Sequence, residues 1–324
     1  MRLLLTGVAG FGGRHLIDAL ASTPGREIHG GDRLDPEAVR GDADLGPRLA
    51  SYRVADITDA ASTAAWVREV RPDAIAHLAA QASGADALLD PVATYRVNAL
   101  GTLNVLEAAR AHAPGATVLV VGSADVYGSG APGGRLREDT PLRPQNPYAL
   151  SKAAADALAE LYGGTYGLRV IRTRTFSHTG PGQRPRFALA SFADQIARID
   201  AGLLPAEVRV GNLDGVRDYG DVRDVVRAYE LLLLRGEPGQ VYNVCTGVGH
   251  PLRQLLDLLL SQSGVRAEVV RDSVRVRIRD ADHLVGDPTR LSERTGWRAG
   301  IPIEQTLADL YRDARARVRA ETGS

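Results

Sequence analysis

The 324-residue chain is short of several residue types, and each shortage closes off a class of protein. Cys245 is the only cysteine, so no internal disulfide can form. Aromatic residues make up only 5%, and 39 Lys and Arg balance 39 Asp and Glu with no basic block, so no nucleic-acid or anionic-membrane partner is expected. No run of eighteen apolar residues occurs, and the opening RLLLTGVAG is broken by glycine too early for a targeting segment; a cytoplasmic protein is expected. Lysine is the scarcest cation. Lys152 is the single lysine, and every other basic residue is arginine. A guanidinium is a planar fork that stays charged, whereas an ammonium is a compact charge that can exchange protons, so a lone lysine points to a reactive site.

What is present is an ordinary soluble composition, 44% hydrophobic and 24% charged, enough for one large domain or two modest ones. Strand and helix patterns alternate along the first half: LLLTG, FGGRHLIDALAS, EIHGGD, YRVADI, AAWVREV, DAIAHLAA, TYRVNALGTLNVLEAARAH and ATVLVVGS. This rhythm predicts an α/β fold, a doubly wound parallel sheet of Rossmann type with helices on both faces. The runs ATVLVV and LRVIRTR lack polar alternation, as strands covered on both faces should. After the glycine and proline loop HTGPGQRP the rhythm changes, and FALASFADQIARI, DVVRAYELLLL and LRQLLDLLL predict helices of a smaller C-terminal α/β lobe. The expected division is residues 1–174, with interleaved segments near 206–245, and residues 175–324 for most of the second lobe. No internal repeat occurs, and no metal site is expected.

The motif TGVAGFGG sets Gly7, Gly10 and Gly13 between a strand and a helix, with Phe11 and Gly12 inside the turn. Glycines here let the backbone approach a pyrophosphate whose charge rests on the helix N-terminus. About twenty residues on, Asp32 ends the second strand, where a carboxylate accepts both ribose hydroxyls of an adenosine. The cofactor is thus NAD(H) or NADP(H). Asp32 favours NAD(H), while the adjacent Arg33 suits a 2′-phosphate. Asp56 and Ile57, after the third strand, are placed to border the adenine, and Leu78, Ala79, Ala80 and Gln81 in HLAAQAS run along the cofactor's far side.

Lys152 belongs to a second constellation. VVGSADVYG ends the fifth strand at Ser123, and in NPYALSK Tyr148 and Lys152 lie four apart at a helix start, on one helical face. A nearby ammonium favours phenolate, so Tyr148 can act as acid or base, while Ser123 holds the same substrate oxygen.

GxxGxxG, the serine after the fifth strand and YxxxK together resemble the extended short-chain dehydrogenase/reductases acting on nucleotide sugars, over nearly the whole chain. TRTFSHTGPGQ, VGNLDGVRDYGDVRDVVRAY, GQVYNVCTG and TGWRAGIP are most similar to the members that reduce GDP-4-keto-6-deoxy-D-mannose to GDP-D-rhamnose. The resemblance implies that Tyr148 protonates the sugar O4 as hydride arrives, with Lys152 lowering the phenol pKa and Ser123 holding the oxygen. It implies that Asn98 orders Lys152 through water and contacts the cofactor, that Arg217 and Arg277 grip the diphosphate, that Arg279, Ser83, Ser177 and Asn212 contact the substrate, and that the partners are a GDP-linked sugar and a second copy. Dimerisation is expected through helices near 95–112 and 148–163. The chain departs from the family at Ser177, where an asparagine is usual. Asp125, two places after Ser123, is where related 4,6-dehydratases carry an acid, so dehydration stays open, as does redox-neutral 4-epimerisation with retained NAD. A non-catalytic NAD(P)-sensing protein would typically lack the Tyr/Lys pair.

Overall fold

The computed structural model describes residues 1–35, 48–131, 133–272 and 282–323. The first half of the chain supplies strands β1 (Arg2–Thr6), β2 (Glu27–Asp32), β3 (Ser51–Val54), β4 (Ala74–His77), β5 (Thr117–Ser123) and β6 (Arg169–Thr175). The remainder supplies β7 (Ser177–Thr179), β8 (Glu207–Val210), β9 (Val216–Asp221), β10 (Val241–Val244), β11 (Gly249–Pro251), β12 (Glu268–Arg271) and β13 (His283–Leu284). Seven of them form one parallel sheet in the order β10-β6-β5-β4-β1-β2-β3, the doubly wound Rossmann arrangement. The order reverses between β1 and β4, and a crevice opens there at the carboxyl ends of the strands. Those ends carry Thr6, Asp32, His77 and Ser123.

Alternation along β1 shows how the sheet is covered. Leu3 and Leu5 pack with Ile17, Leu20, Val225 and Leu232, from helices Phe11–Ala21 and Val222–Arg235. Leu4 faces the opposite side and packs with Trp66, Val105, Leu106 and Tyr162, from helices Ala60–Val70, Gly101–His112 and Pro147–Tyr166. Each leucine is almost wholly buried and contributes about 2 kcal/mol.

The predicted strands are found, with two differences. YRVADI is extended only through Val54; Asp56 lies beyond the strand, where its carboxylate accepts the Thr58 amide. LRVIRTR is not apolar on both sides. Arg172 and Arg174 are buried in β6, and both guanidiniums reach the Asp156 carboxylate, at 3.3 and 3.0 Å. Arg172 also pairs with Glu160, and Arg174 lies over the Tyr127 ring at 5.0 Å. The strand is covered on that face by matched charges, since a buried guanidinium without a carboxylate would be prohibitive.

The long helical pattern around Asn98 is also not uniform. It runs as Pro91–Tyr95, a π turn over Arg96–Leu100, then Gly101–His112. Within the turn the Gly101 amide bonds the Arg96 carbonyl, five residues back, and the extra residue directs Asn98 inward, where it is 1% exposed.

The smaller lobe holds β7, β9, β11 and β13 in one sheet and β8 with β12 in another. Helices Ala188–Asp200, Leu252–Ser263 and Ile303–Thr322 bury Ile196, Leu256, Leu259 and Leu310 against this lobe. β10 returns the chain to the main sheet between β9 and β11, so the two lobes are interleaved. Among the described residues no helix is long and apolar enough to cross a membrane.

Asp156→Ala removes the carboxylate shared by two buried guanidiniums, leaving Arg172 only Glu160 and Arg174 no carboxylate among the described residues, and it is expected to lower the unfolding free energy by about 3–5 kcal/mol in urea titration. A loss below about 1 kcal/mol would show that the cluster is not held by charge pairing.

Candidate active site

The glycine turn is built for close approach. Gly7 adopts φ +76°, and a Cβ there would lie 2.6 Å from the Ala79 nitrogen. Gly13 has as little room, since its Cβ would come within 2.3 Å of the Gly7 carbonyl, whereas Gly12 is open apart from Leu78. Gly10 caps the Phe11–Ala21 helix without any side-chain hydrogen bond, and no acidic residue occupies the first turn. The positive helix end is therefore not neutralised by the chain's own carboxylates. Asp32, at the tip of β2, accepts the Ala9 amide at 3.1 Å and the Leu34 amide at 3.2 Å, which sets its carboxylate beside the glycine turn. Arg33 is exposed. A tight glycine cradle, an unneutralised helix end and a carboxylate at the second strand fit a dinucleotide.

The rest of the predicted cofactor wall follows. Leu78 and Ala79 leave β4 with their amides on Thr6, to its carbonyl at 3.3 Å and its hydroxyl at 3.1 Å. Ala80 and Gln81 are half-buried behind them. Ile57 is buried, its carbonyl held by Asn104, and Asp56 is exposed. Phe11 stacks parallel on His178, centroids 5.9 Å apart, and His15 bonds the Pro181 carbonyl, so the cofactor helix is fastened to the first strand of the smaller lobe.

Ser123 ends β5, and its hydroxyl accepts the Asp125 amide at 3.2 Å in the short turn Ala124–Tyr127. Asn146 caps the next helix by accepting the Ala149 amide, Pro147 takes the first position, and Tyr148 and Lys152 follow one turn apart. Lys152 is 6% exposed, and its ammonium donates to the Val121 carbonyl at 2.7 Å. Burial lowers its pKa to about 8, against the opposing pull of Asp156. The Tyr148 phenol moves the other way. Burial raises it above the ordinary tyrosine value, the Asp125 carboxylate adds to this, and only a hydrogen bond with Ser123 opposes. Lys152 is not among the groups that shift the phenol, so the expected depression is not found in the folded chain. Ser123, Asp125 and Tyr148 do come together, as predicted.

Asn98 makes its direct bonds to the loop after β4 and to the catalytic helix. Its amide accepts the Gln81 N–H at 2.8 Å and donates to the Gln81 carbonyl at 3.0 Å and to Ser151 at 2.9 Å, not to Lys152. Ser83 caps the Gly84–Leu89 helix by accepting the Asp86 amide. Ser177 pairs with Tyr219 in register across β7 and β9, and Arg217 lies two residues before that partner, buried, with a bond to the Val216 carbonyl. Asn212 caps its own loop through the Asp214 amide. Arg277 and Arg279 lie outside the described residues.

A family model described as GDP-mannose 4,6 dehydratase matches residues 4–310. The chain belongs to that family. Its members lie within the extended short-chain dehydrogenase/reductases, as the glycine turn and the Tyr/Lys pair imply. The chain is 40% identical to a GDP-6-deoxy-D-mannose reductase of Pseudomonas aeruginosa over 99% of both chains. A solved structure of RMD from Pseudomonas aeruginosa complexed with NADPH aligns with a TM-score of 0.83 at 37% identity, covering 98% of this chain and 99% of that one. A UDP-glucose 4-epimerase of Thermus thermophilus in complex with NAD aligns with a TM-score of 0.86 at 32% identity, covering 97% of this chain and 99% of that one. Both nicotinamide cofactors therefore occur among the family's structural relatives.

Sequence reading missed His77, Thr6, Thr102 and Ser151, all buried polar side chains around the site. The signal was available in the histidine of HLAAQ, which stands alone in an apolar strand.

Gly7→Ala forces a left-handed backbone and a contact with Ala79, and is expected to weaken NAD(P)H binding by about tenfold or more in a fluorescence titration. Unchanged affinity would remove the glycine turn from the cofactor site.

Proposed function

We propose that the chain reduces the 4-keto group of a GDP-4-keto-6-deoxyhexose, converting GDP-4-keto-6-deoxy-D-mannose to GDP-D-rhamnose with hydride from NAD(P)H. The observation that carries the reading is the group Ser123, Tyr148 and Lys152, in which burial keeps the phenol protonated. A reductase needs a loaded acid at the ketone oxygen, and because the same group can run in reverse in an epimerase, the choice of reduction rests on the 40% identity to a GDP-6-deoxy-D-mannose reductase. The likeness to GDP-6-deoxy-D-mannose reductase supports the substrate.

When bound, NAD(P)H supplies the hydride. Tyr148 gives its hydroxyl proton to the sugar O4, and Ser123 donates to the same oxygen as charge develops on it. Lys152, one helical turn on, is assigned by the resemblance to the phenolate that remains once the proton has left; in the folded chain its ammonium rests on the Val121 carbonyl instead. Asp32 would receive the adenosine ribose, with Arg33 beside it, and the turn of Gly7, Gly10, Phe11, Gly12 and Gly13 would hold the pyrophosphate. Ser83, Ser177, Asn212 and Arg217 are assigned to the sugar nucleotide, with Arg217's planar donors suited to the diphosphate. Residues 1–174, with the return near 206–245, hold the cofactor, and most of 175–324 holds the substrate. Asp125 favours a second reading, 4,6-dehydration, because it stands two places after Ser123, where an acid could take the proton from sugar carbon 5. Ala124 before it leaves that acid without the second carboxylate some dehydratases carry.

A homodimer in the cytoplasm completes the reading. Leu100, Leu150 and Leu161 are about half exposed on the two helices expected to pair, and Val92 is 68% exposed at the start of the first. Together they offer an apolar face of the kind that a second copy covers.

Incubation with GDP-4-keto-6-deoxymannose and NADH or NADPH should oxidise the cofactor and give a GDP-6-deoxyhexose by NMR, and Tyr148→Phe should abolish both. An inert protein, or one converting GDP-mannose itself, would overturn the reductase reading. The rate is expected to fall as pH rises through about 8, since Lys152 loses its proton there and the phenolate loses its cation; a rate flat to pH 10 would remove Lys152's charge from the mechanism. Leu100→Asp is expected to shift the sedimentation coefficient from dimer to monomer; an unchanged dimer would place the interface elsewhere.

A further inference from the structure

Beneath the site, a chain of buried side chains links β1, β4, the helix with the π turn and the helix that carries Tyr148. Thr6 Oγ1 lies 2.8 Å from His77 Nδ1, and His77 Nε2 lies 3.1 Å from Thr102 Oγ1. Thr102 donates to the Asn98 carbonyl at 2.6 Å, Asn98 Nδ2 donates to Ser151 Oγ at 2.9 Å, and Ser151 donates to the Tyr148 carbonyl at 2.7 Å. Thr6, His77, Thr102, Asn98 and Ser151 are each no more than 3% exposed.

The partners fix where each proton sits. The Thr102 hydrogen is committed to a carbonyl, so its oxygen accepts and His77 Nε2 carries the imidazole hydrogen. Nδ1 then accepts from the Thr6 hydroxyl, whose own oxygen receives the Ala79 amide at 3.1 Å. An imidazolium would set a hydrogen on Nδ1 against that of Thr6. Burial, assisted by the Lys152 charge, lowers the imidazole pKa to about 3 and keeps it neutral. Asn98 extends the run to both backbone groups of Gln81. The loop after β4 and the first turn of the catalytic helix are therefore fastened to one another through His77, Thr102 and Asn98.

We infer that His77 and Thr102 are positioning residues, which hold the Leu78–Gln81 loop and the first turn of the Pro147–Tyr166 helix as one unit and so fix Tyr148 relative to the cofactor side of the crevice. The inference rests on the reading of Tyr148 as proton donor. A displacement of about 1 Å between reacting groups costs on the order of a hundredfold in rate, so a network of this kind acts on turnover more than on binding.

Thr102→Val removes the hydroxyl at nearly constant volume, and Thr102→Ser keeps it. Thr102→Val is expected to lower kcat by about tenfold or more while KM for GDP-4-keto-6-deoxymannose and the cofactor Kd stay within about twofold, and Thr102→Ser to recover kcat within about threefold. Hydrogen exchange of the protein without substrate supplies an independent readout: amides at Gln81 and at Ser151–Lys152 should both exchange faster in Thr102→Val and not in Thr102→Ser. Intact kcat in Thr102→Val, or exchange that changes only around residue 102, overturns the inference. If Thr102→Val does not fold, Thr6→Val against Thr6→Ser applies the same criteria from the opposite end. If the unsubstituted protein reduces no sugar nucleotide, the proposed function falls, and the exchange pattern at the two ends still decides the coupling.

Discussion

Lys152 carries the only side-chain ammonium of this chain into the interior, where it is 6% exposed, and much of the surrounding structure answers that charge. Removing an ammonium from water costs several kcal/mol unless polar groups replace the lost hydration. The Val121 carbonyl does part of this, at 2.7 Å. The neighbours are held in states that add no second positive charge: His77 is neutral, and Asp156 lies one helical turn beyond, between two arginines. Burial outweighs the pull of Asp156 on Lys152, and the ammonium stays close to the point of releasing its proton.

The fold delivers this lysine through a few geometric decisions. Reversal of strand order between β1 and β4 opens the crevice, and the strand ends bordering it supply Thr6, Asp32, His77 and Ser123. The helix beginning at Pro147 supplies Tyr148 and Lys152 at one-turn spacing. A single extra residue in the π turn directs Asn98 inward, where one amide meets both the loop after β4 and the catalytic helix.

Much of this was legible because it is local. Glycine spacing encodes a turn that only glycine tolerates, a tyrosine and a lysine four apart mark one face of the Pro147 helix, and the solitary lysine stands out against an arginine background. What escaped depends on partners distant in sequence. Arg172 and Arg174 read as part of an apolar strand because Asp156 lies on the neighbouring helix, and the role of His77 rests on Thr6 and Thr102, on two other elements. The direction of the Tyr148 shift was equally hidden: spacing placed an ammonium nearby, but burial and Asp125 set the shift.

The burial of Lys152 also shapes how the molecule meets its surroundings. Every exposed basic side chain is a guanidinium, so lysine acetylation, ubiquitin attachment and amine-directed cross-linking find no side-chain target on the surface. The one lysine amine is buried behind the Tyr148 turn, where burial lowers its pKa to about 8, so at mildly alkaline pH part of it is uncharged. A small electrophile able to enter the crevice would thus count active sites among the lysines of this protein, with no background to subtract.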